Sequence, residues 1–203
     1  MSRFGEAISE GDGISVIPVL EGPVEELAAV AEAAGAEALA VAGADVARVR
    51  AHTALPIVAR RQDPGAASAA GADACILVVE HLEADDHLEE LYALARDLGM
   101  DCAVDVRDEE ELQEALERVD PDIVLISERS LENGEEDLER TLDLLADVPA
   151  GKLVISEARI VTREQVVALE RAGVDAVLVA GLAGGADFSS ALEELVRGPG
   201  AHR

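Results

Sequence analysis

Residues 151–185, GKLVISEARIVTREQVVALERAGVDAVLVAGLAGG, constrain the fold more than any other stretch, because they read as one complete unit of strand, helix and strand. Lys152 to Ser156 is a short apolar run. Thr162 stands where a helix N-cap belongs, and Gln165 three residues later completes a capping box. Val166, Val167, Leu169 and Ala172 then give the helix an apolar stripe, and Gly173 ends it. Ala176 to Ala180 is a second apolar run with no polar alternation, the pattern of a parallel strand buried on both faces. The glycine-rich exit at 181–185 lets backbone N–H groups approach an anion, so Gly181 and Leu182 are candidate phosphate contacts.

The same alternation runs through the rest of the chain. Phe4, Ala7 and Ile8 are spaced for a short helix that would plug one end of a barrel. Strands are expected at Ile14–Leu20, Ala38–Ala42, Pro56–Arg60, Cys75–Val79, Cys102–Val106 and Ile123–Ser127, before the two in the opening unit. Helices are expected between them, at Pro23–Ala34, Asp45–His52, from Asp63-Pro64 to Gly71, Asp85–Leu98, Asp108–Val119 and Glu135–Ala146, with a last one at Phe188–Arg197. Eight such alternations in 203 residues predict an α/β fold of the (β/α)8 TIM-barrel type near the lower size limit of that architecture. The barrel would occupy residues 14–198, after a helical segment at 1–13 and before a tail at 199–203. A doubly wound open sheet is the weaker alternative, since no GxGxxG follows the first strand. No cofactor is expected.

Charge narrows the partners. Against 43 acidic residues stand 16 basic ones, a formal net charge of −27, so nucleic acid is not an expected partner. Lys152 is the sole lysine; the other basic residues are arginines. With 1% aromatic residues, this composition is that expected of a protein from a salt-accumulating cell, in which molar salt screens the self-repulsion. Cys75 and Cys102 lie in apolar runs without metal-ligand spacing and are expected to be buried free thiols. No metal site is expected; His81 and His87, six apart, do not share a helix face. Without a membrane-length apolar run or a basic-then-apolar leader, the expected location is the cytoplasm.

Chemistry in such a barrel sits at the C-terminal ends of the strands. Those positions are Val19 and Glu21, Arg60 and Arg61, Glu80 and His81, Asp105 and Arg107, Ser127 and Arg129, Glu157 and Arg159, and Gly181. Carboxylates suit proton transfer and guanidinium groups suit phosphate or carboxylate binding. A rim of ion pairs on a highly charged protein is the plainer reading of the same residues.

The segments GADACILVV, VDVRDEEEL, ISERSL followed by EEDLERTLDLLA, VISEARI and GVDAVLVAG together resemble the successive strand-end motifs of the indole-3-glycerol phosphate synthase family, in its order and spacing. That family closes and decarboxylates a carboxyphenylamino-deoxyribulose phosphate in tryptophan biosynthesis. The resemblance places the family's strand-five glutamate on Asp105, its arginine after strand six on Arg129, and the glutamate of its SESGI motif on Glu157. The family's strand-three lysine falls on Arg60, and its strand-one glutamate and lysine fall on Val19 and Glu21. Its asparagine after strand six is Ser127, the serine and glycine of SESGI are Ala158 and Arg159, and its strand-eight glycine is Ala180.

Lysine serves as a proton donor because burial can lower its pKa, whereas arginine stays protonated. The resemblance therefore implies Asp105, Glu157 and Arg60 as the candidate catalytic set and Arg129 as a substrate contact; the family's phosphate site is altered, and Arg159, Gly181 and Leu182 are candidates to form a different one. Three functions are compatible with this pattern. The first is a barrel that has lost the parent reaction and serves as a ligand-binding or partner subunit, bound to a phosphorylated small molecule or another protein. The others are a synthase with rearranged catalysis, and a different sugar-phosphate isomerase or lyase.

Overall fold

The computed structural model describes residues 2–11, 13–60, 63–79, 87–127, 138–182 and 186–197. Eight parallel strands close on themselves in chain order: β1 (Ser15–Leu20), β2 (Leu39–Ala42), β3 (Ile57–Arg60), β4 (Ala74–Val78), β5 (Asp101–Val106), β6 (Ile123–Ser127), β7 (Leu153–Glu157) and β8 (Ala176–Val179). Closure is made by β1 against β8, with Ile17 in register with Leu178. The outer layer is α1 (Arg3–Ser9), α2 (Val24–Ala34), α3 (Val46–Arg50), α4 (Pro64–Ala70), α5 (His87–Asp97), α6 (Glu109–Arg118), α7 (Leu138–Leu145), α8 (Arg163–Ala172) and α9 (Ala186–Arg197), except that α1 belongs to the barrel's end. This is the (β/α)8 barrel. A short 3-10 turn at Gly43–Asp45 precedes α3, so the expected helix at Asp45–His52 is shorter than its sequence suggests. The starts expected for the helices before β5 and β7, at Asp85 and Glu135, lie outside the described residues.

Strand alternation divides the core in two. Cys102, Val104 and Val106 of β5 face the helices, as do Val124 and Ile126 of β6. Ala103, Ile123, Leu125, Ile155 and Leu178 point into the barrel. Many inward residues are alanines, including Ala38, Ala40, Ala74 and Ala176, and the space they leave at the N-terminal end is filled by Phe4 and Ile8 of α1. The chain has only two phenylalanines, both fully buried: one fills the barrel end, and Phe188 anchors α9.

A carboxylate fixes that plug. Asp101, the first residue of β5, accepts from the Ser2 amide at 2.9 Å, the Ser2 hydroxyl at 2.8 Å and the Gly5 amide at 2.7 Å. The two amides are among the N–H groups that the start of a helix leaves without internal partners.

Acidic residues do similar work before other strands. Asp73 accepts the Ile57 amide of β3 at 2.8 Å, and Asp175 accepts the Val154 amide of β7 at 2.7 Å. Asp73 also pairs with Arg50 at 3.0 Å and Arg3 at 3.2 Å. Gly71 before it has φ +92°, a left-handed backbone that favours glycine, and a Cβ there would press on the Arg50 side chain, 3.0 Å from its Cγ.

The expected caps are present. Thr162 Oγ1 accepts from the Gln165 amide while Gln165 Oε1 accepts from the Thr162 amide, the reciprocal capping box. Asp63 and Asp108 cap α4 and α6 at 3.0 and 2.9 Å. Cys75 and Cys102 are buried free thiols in register on β4 and β5, facing the helices. Their mutual hydrogen bond and their burial hold the Cys102 thiol well above the ordinary cysteine range. Among the described residues no helix is long and apolar enough to cross a membrane.

Candidate functional site at the barrel mouth

Alternation along the strands decides which rim residues look inward. Val58 lies inside the barrel, so Arg60 two residues on does too; the same step carries Ala103 to Asp105, Leu125 to Ser127 and Ile155 to Glu157. These four side chains form the polar layer of the mouth, above the apolar interior. Asp105 is wholly buried, Ser127 is 2% exposed, and the side chains of Arg60 and Glu157 are 16% and 17% exposed.

Arg60 Nη2 donates to Glu157 Oε1. In a closed ring of eight strands β3 and β7 stand opposite one another, so this ion pair spans the mouth. Ser127 and Glu157 are register partners on adjacent strands. Ser127 Oγ and Glu157 Oε2 are buried and have no hydrogen-bond partner among the described residues.

The other rim positions behave differently. Val19 points into the barrel as an apolar residue, and Glu21 is exposed beyond β1, while the partner of Arg60 is Glu157. Arg107 turns outward to Glu111 of α6, its backbone N–H reaching Glu111 Oε2 at 2.9 Å. It is a rim ion pair. Lys152, at the opposite end of the barrel, bonds Asp120 Oδ1 at 2.6 Å and the Pro121 carbonyl at 2.8 Å, as its place before β7 requires. Arg61, Glu80, His81 and Arg129 lie outside the described residues.

Three residues expected to hold phosphate sit at the β7 and β8 side. Gly181, with φ +73°, and Leu182 line a cavity of about 240 Å³ together with Ile160, Val161, Ala191 and Leu195. Glu194 is the charged residue lining it, and Val161 is exposed beside it. Arg159 is itself exposed and does not line this cavity. The described side chains lining this space are apolar apart from that one carboxylate, and residues 183–185 of the glycine-rich exit lie outside the described residues. Among the described residues no cluster of His, Cys, Asp and Glu is placed to hold a metal ion.

The features missed in the sequence are the cross-mouth pairing of Arg60 with Glu157 and the anchoring role of Asp101. A signal existed for the second, since an aspartate two residues beyond a helix-ending glycine recurs at Asp73, Asp101 and Asp175.

The closed parallel ring and the charged layer at its C-terminal end define the chain as a (β/α)8 barrel of the kind that carries sites in its mouth. A family model described as indole-3-glycerol phosphate synthase matches residues 56–195, and the chain belongs to that family. An indole-3-glycerol phosphate synthase from Variovorax paradoxus (strain S110) is 41% identical over 111 residues, which cover 55% of this chain and 41% of that protein. The match thus spans less than half the length of that relative.

Solved structures share the architecture. An N-acetylmannosamine-6-phosphate 2-epimerase from Clostridium perfringens superposes with a TM-score of 0.68 at 20% identity, covering 82% of this chain and 86% of that one. A thiamine phosphate pyrophosphorylase from Pyrococcus furiosus gives 0.67 at 18% identity, covering 90% and 94%. A mutant tryptophan synthase alpha-subunit from the same hyperthermophile gives 0.68 at 17%, covering 91% and 98%. At these identities the likeness concerns the fold alone.

Proposed function

We propose that this chain is a ligand-binding member of the indole-3-glycerol phosphate synthase family that does not carry out the parent ring closure. The observation that supports the reading is the Arg60 and Glu157 ion pair across the mouth, with the chain's one lysine at the other end of the barrel. Ring closure with loss of carbon dioxide needs a group that gives a proton to the reacting oxygen. A guanidinium retains its proton through a turnover and serves as a poor general acid. Arg60 is moreover held by a carboxylate from the opposite strand, so a substrate filling the mouth must first displace that partner. In this role the barrel binds a small molecule, or serves beside another protein of tryptophan biosynthesis.

One observation favours a second reading, an active synthase with rearranged catalysis. Asp105 is a wholly buried carboxylate in the inward layer, at the position that the resemblance assigns to the family's strand-five glutamate. In that mechanism Asp105 and Glu157 move protons while Arg60 and Arg129 hold the substrate's carboxylate and phosphate. The deciding experiment is a turnover assay with carboxyphenylamino-deoxyribulose phosphate, run in molar KCl on demonstrably folded protein. The binding reading expects no indole-3-glycerol phosphate above background. Formation of that product, abolished by Asp105→Asn, would establish the synthase instead.

A further inference from the structure

The proposal that follows rests on the binding reading above and concerns what the mouth accepts at Arg60. A guanidinium at the C-terminal end of a barrel strand is placed to receive anions, because its planar fork of N–H donors fits carboxylate and phosphate alike. In this chain the receptor is already filled. Arg60 Nη2 donates to Glu157 Oε1, and that is the one ion pair Arg60 makes among the described residues.

The occupant is tethered at both ends. Arg60 ends β3, which is held in register by Ala42 of β2 opposite Arg60 and by Cys75 of β4 opposite Ala59. Glu157 ends β7, held by Ser127 of β6 opposite Glu157 and by Val177 of β8 opposite Ser156. Neither backbone end can retreat. A side chain fixed in this way meets its partner at an effective concentration above the roughly millimolar value of a short flexible linker, so a free monocarboxylate competes poorly for Arg60.

Displacement also has an electrostatic cost. An anion seated on Arg60 would leave the Glu157 carboxylate shielded from water without a counter-charge, and breaking such a pair is strongly unfavourable. The neighbours offer little relief. Glu157 Oε2 is buried without a hydrogen-bond partner among the described residues, and Ser127 Oγ, across from it on β6, supplies a single hydroxyl donor. The incoming anion and Glu157 would then share one guanidinium.

We propose that Glu157 sets the specificity of the mouth by occupying Arg60 in place of a ligand anion, so that the intact barrel refuses carboxylate and phosphate at that position. Loss of the Glu157 carboxylate uncovers an anion site on Arg60.

The test follows the melting temperature of the full chain in molar salt while potassium formate, and separately potassium phosphate, replaces KCl at constant ionic strength. Formate is the smallest carboxylate, and its bidentate bond to a guanidinium outcompetes chloride. The double variant Arg60→Met with Glu157→Ala lacks both groups, carries any general salt effect and serves as the baseline. The parent is expected to show no saturable rise above that baseline with either anion. Glu157→Ala, which removes the carboxylate and leaves its space, should gain a saturable rise with formate, half-maximal at least about ten-fold below any response of the parent. Glu157→Gln, which keeps the shape and removes the charge, should gain a smaller one and stands in where the alanine variant does not fold. The proposal is overturned if the parent itself saturates with formate or phosphate above the baseline, or if the folded Glu157 variants show no gain. Failure here leaves the non-synthase reading standing, whereas turnover in the synthase assay removes that reading whatever formate does.

Discussion

Arg60 at the end of β3 and Glu157 at the end of β7 come from opposite sides of the barrel, and their side chains meet across its mouth. Both are largely shielded from water, so neither charge has an easy substitute for the other. Replacing either one alone by alanine strands its partner, and we expect a loss of about 2 kcal/mol in denaturant unfolding. The double variant Arg60→Met with Glu157→Leu should recover most of that loss, because removing both desolvated charges is nearly neutral. Two single variants as stable as the parent would show that the pair does not hold the mouth together.

The N-terminal plug depends on Asp101. Its carboxylate takes two backbone amides and one hydroxyl from the start of α1, and Phe4 and Ile8 are packed beneath the barrel as a consequence. Asp101→Ala leaves those amides without acceptors and should cost about 2–4 kcal/mol. Limited proteolysis reads the same event, with residues 2–9 cut first in the variant and protected in the parent. An unchanged cleavage pattern would mean that apolar packing alone seats the helix.

Asp175 predicts a pH effect. Burial raises its carboxyl above the ordinary aspartate range, and the bond accepted from the Val154 amide only partly offsets that. A raised native pKa means the folded protein holds this proton more tightly than the unfolded chain. The resulting stabilisation is full below the unfolded value, about 3.9, and is lost as pH rises through the higher folded value. Asp175→Asn keeps an oxygen for the Val154 amide and has nothing to ionise. Its melting temperature at neutral pH should equal or exceed the parent's, with less change across the acid range. A marked loss at neutral pH would show that the charged form is the one the fold needs.

Salt should stabilise the whole molecule. Raising ionic strength from about 0.1 M to 1 M shortens the screening length from about 10 Å to about 3 Å. That weakens surface pairs such as Arg48 with Glu25 and Arg118 with Glu89, each worth little. It weakens far more repulsions, because 43 acidic residues face 16 basic ones. We therefore expect the melting temperature to climb between dilute buffer and molar KCl; a flat or falling curve would remove self-repulsion as the governing term.

Much of this architecture was legible in the chain itself. Unalternated apolar runs such as ACILV in β4 and IVLIS in β6 mark strands covered on both faces, and glycine or a capping side chain marks the helix ends between them. The capping box at Thr162 and Gln165 was readable residue by residue, since its partners are three positions apart. The five strand-end segments gave the family, and the place of Lys152 before β7 put it at the far end from the mouth. Local rules sufficed for all of these.

The cross-mouth pair was not readable that way. The sequence shows a rim of acidic and basic residues without saying which of them pair; Glu21 lies exposed beyond β1, and the bond to Arg60 is made by Glu157. Strand order and the two-residue side-chain period determined which faces are apolar and which residues could look inward. Only closure of the ring decided which of those inward residues, 97 positions apart, stand opposite each other, and a side-chain contact across a barrel depends on that distance and on nothing local to either residue.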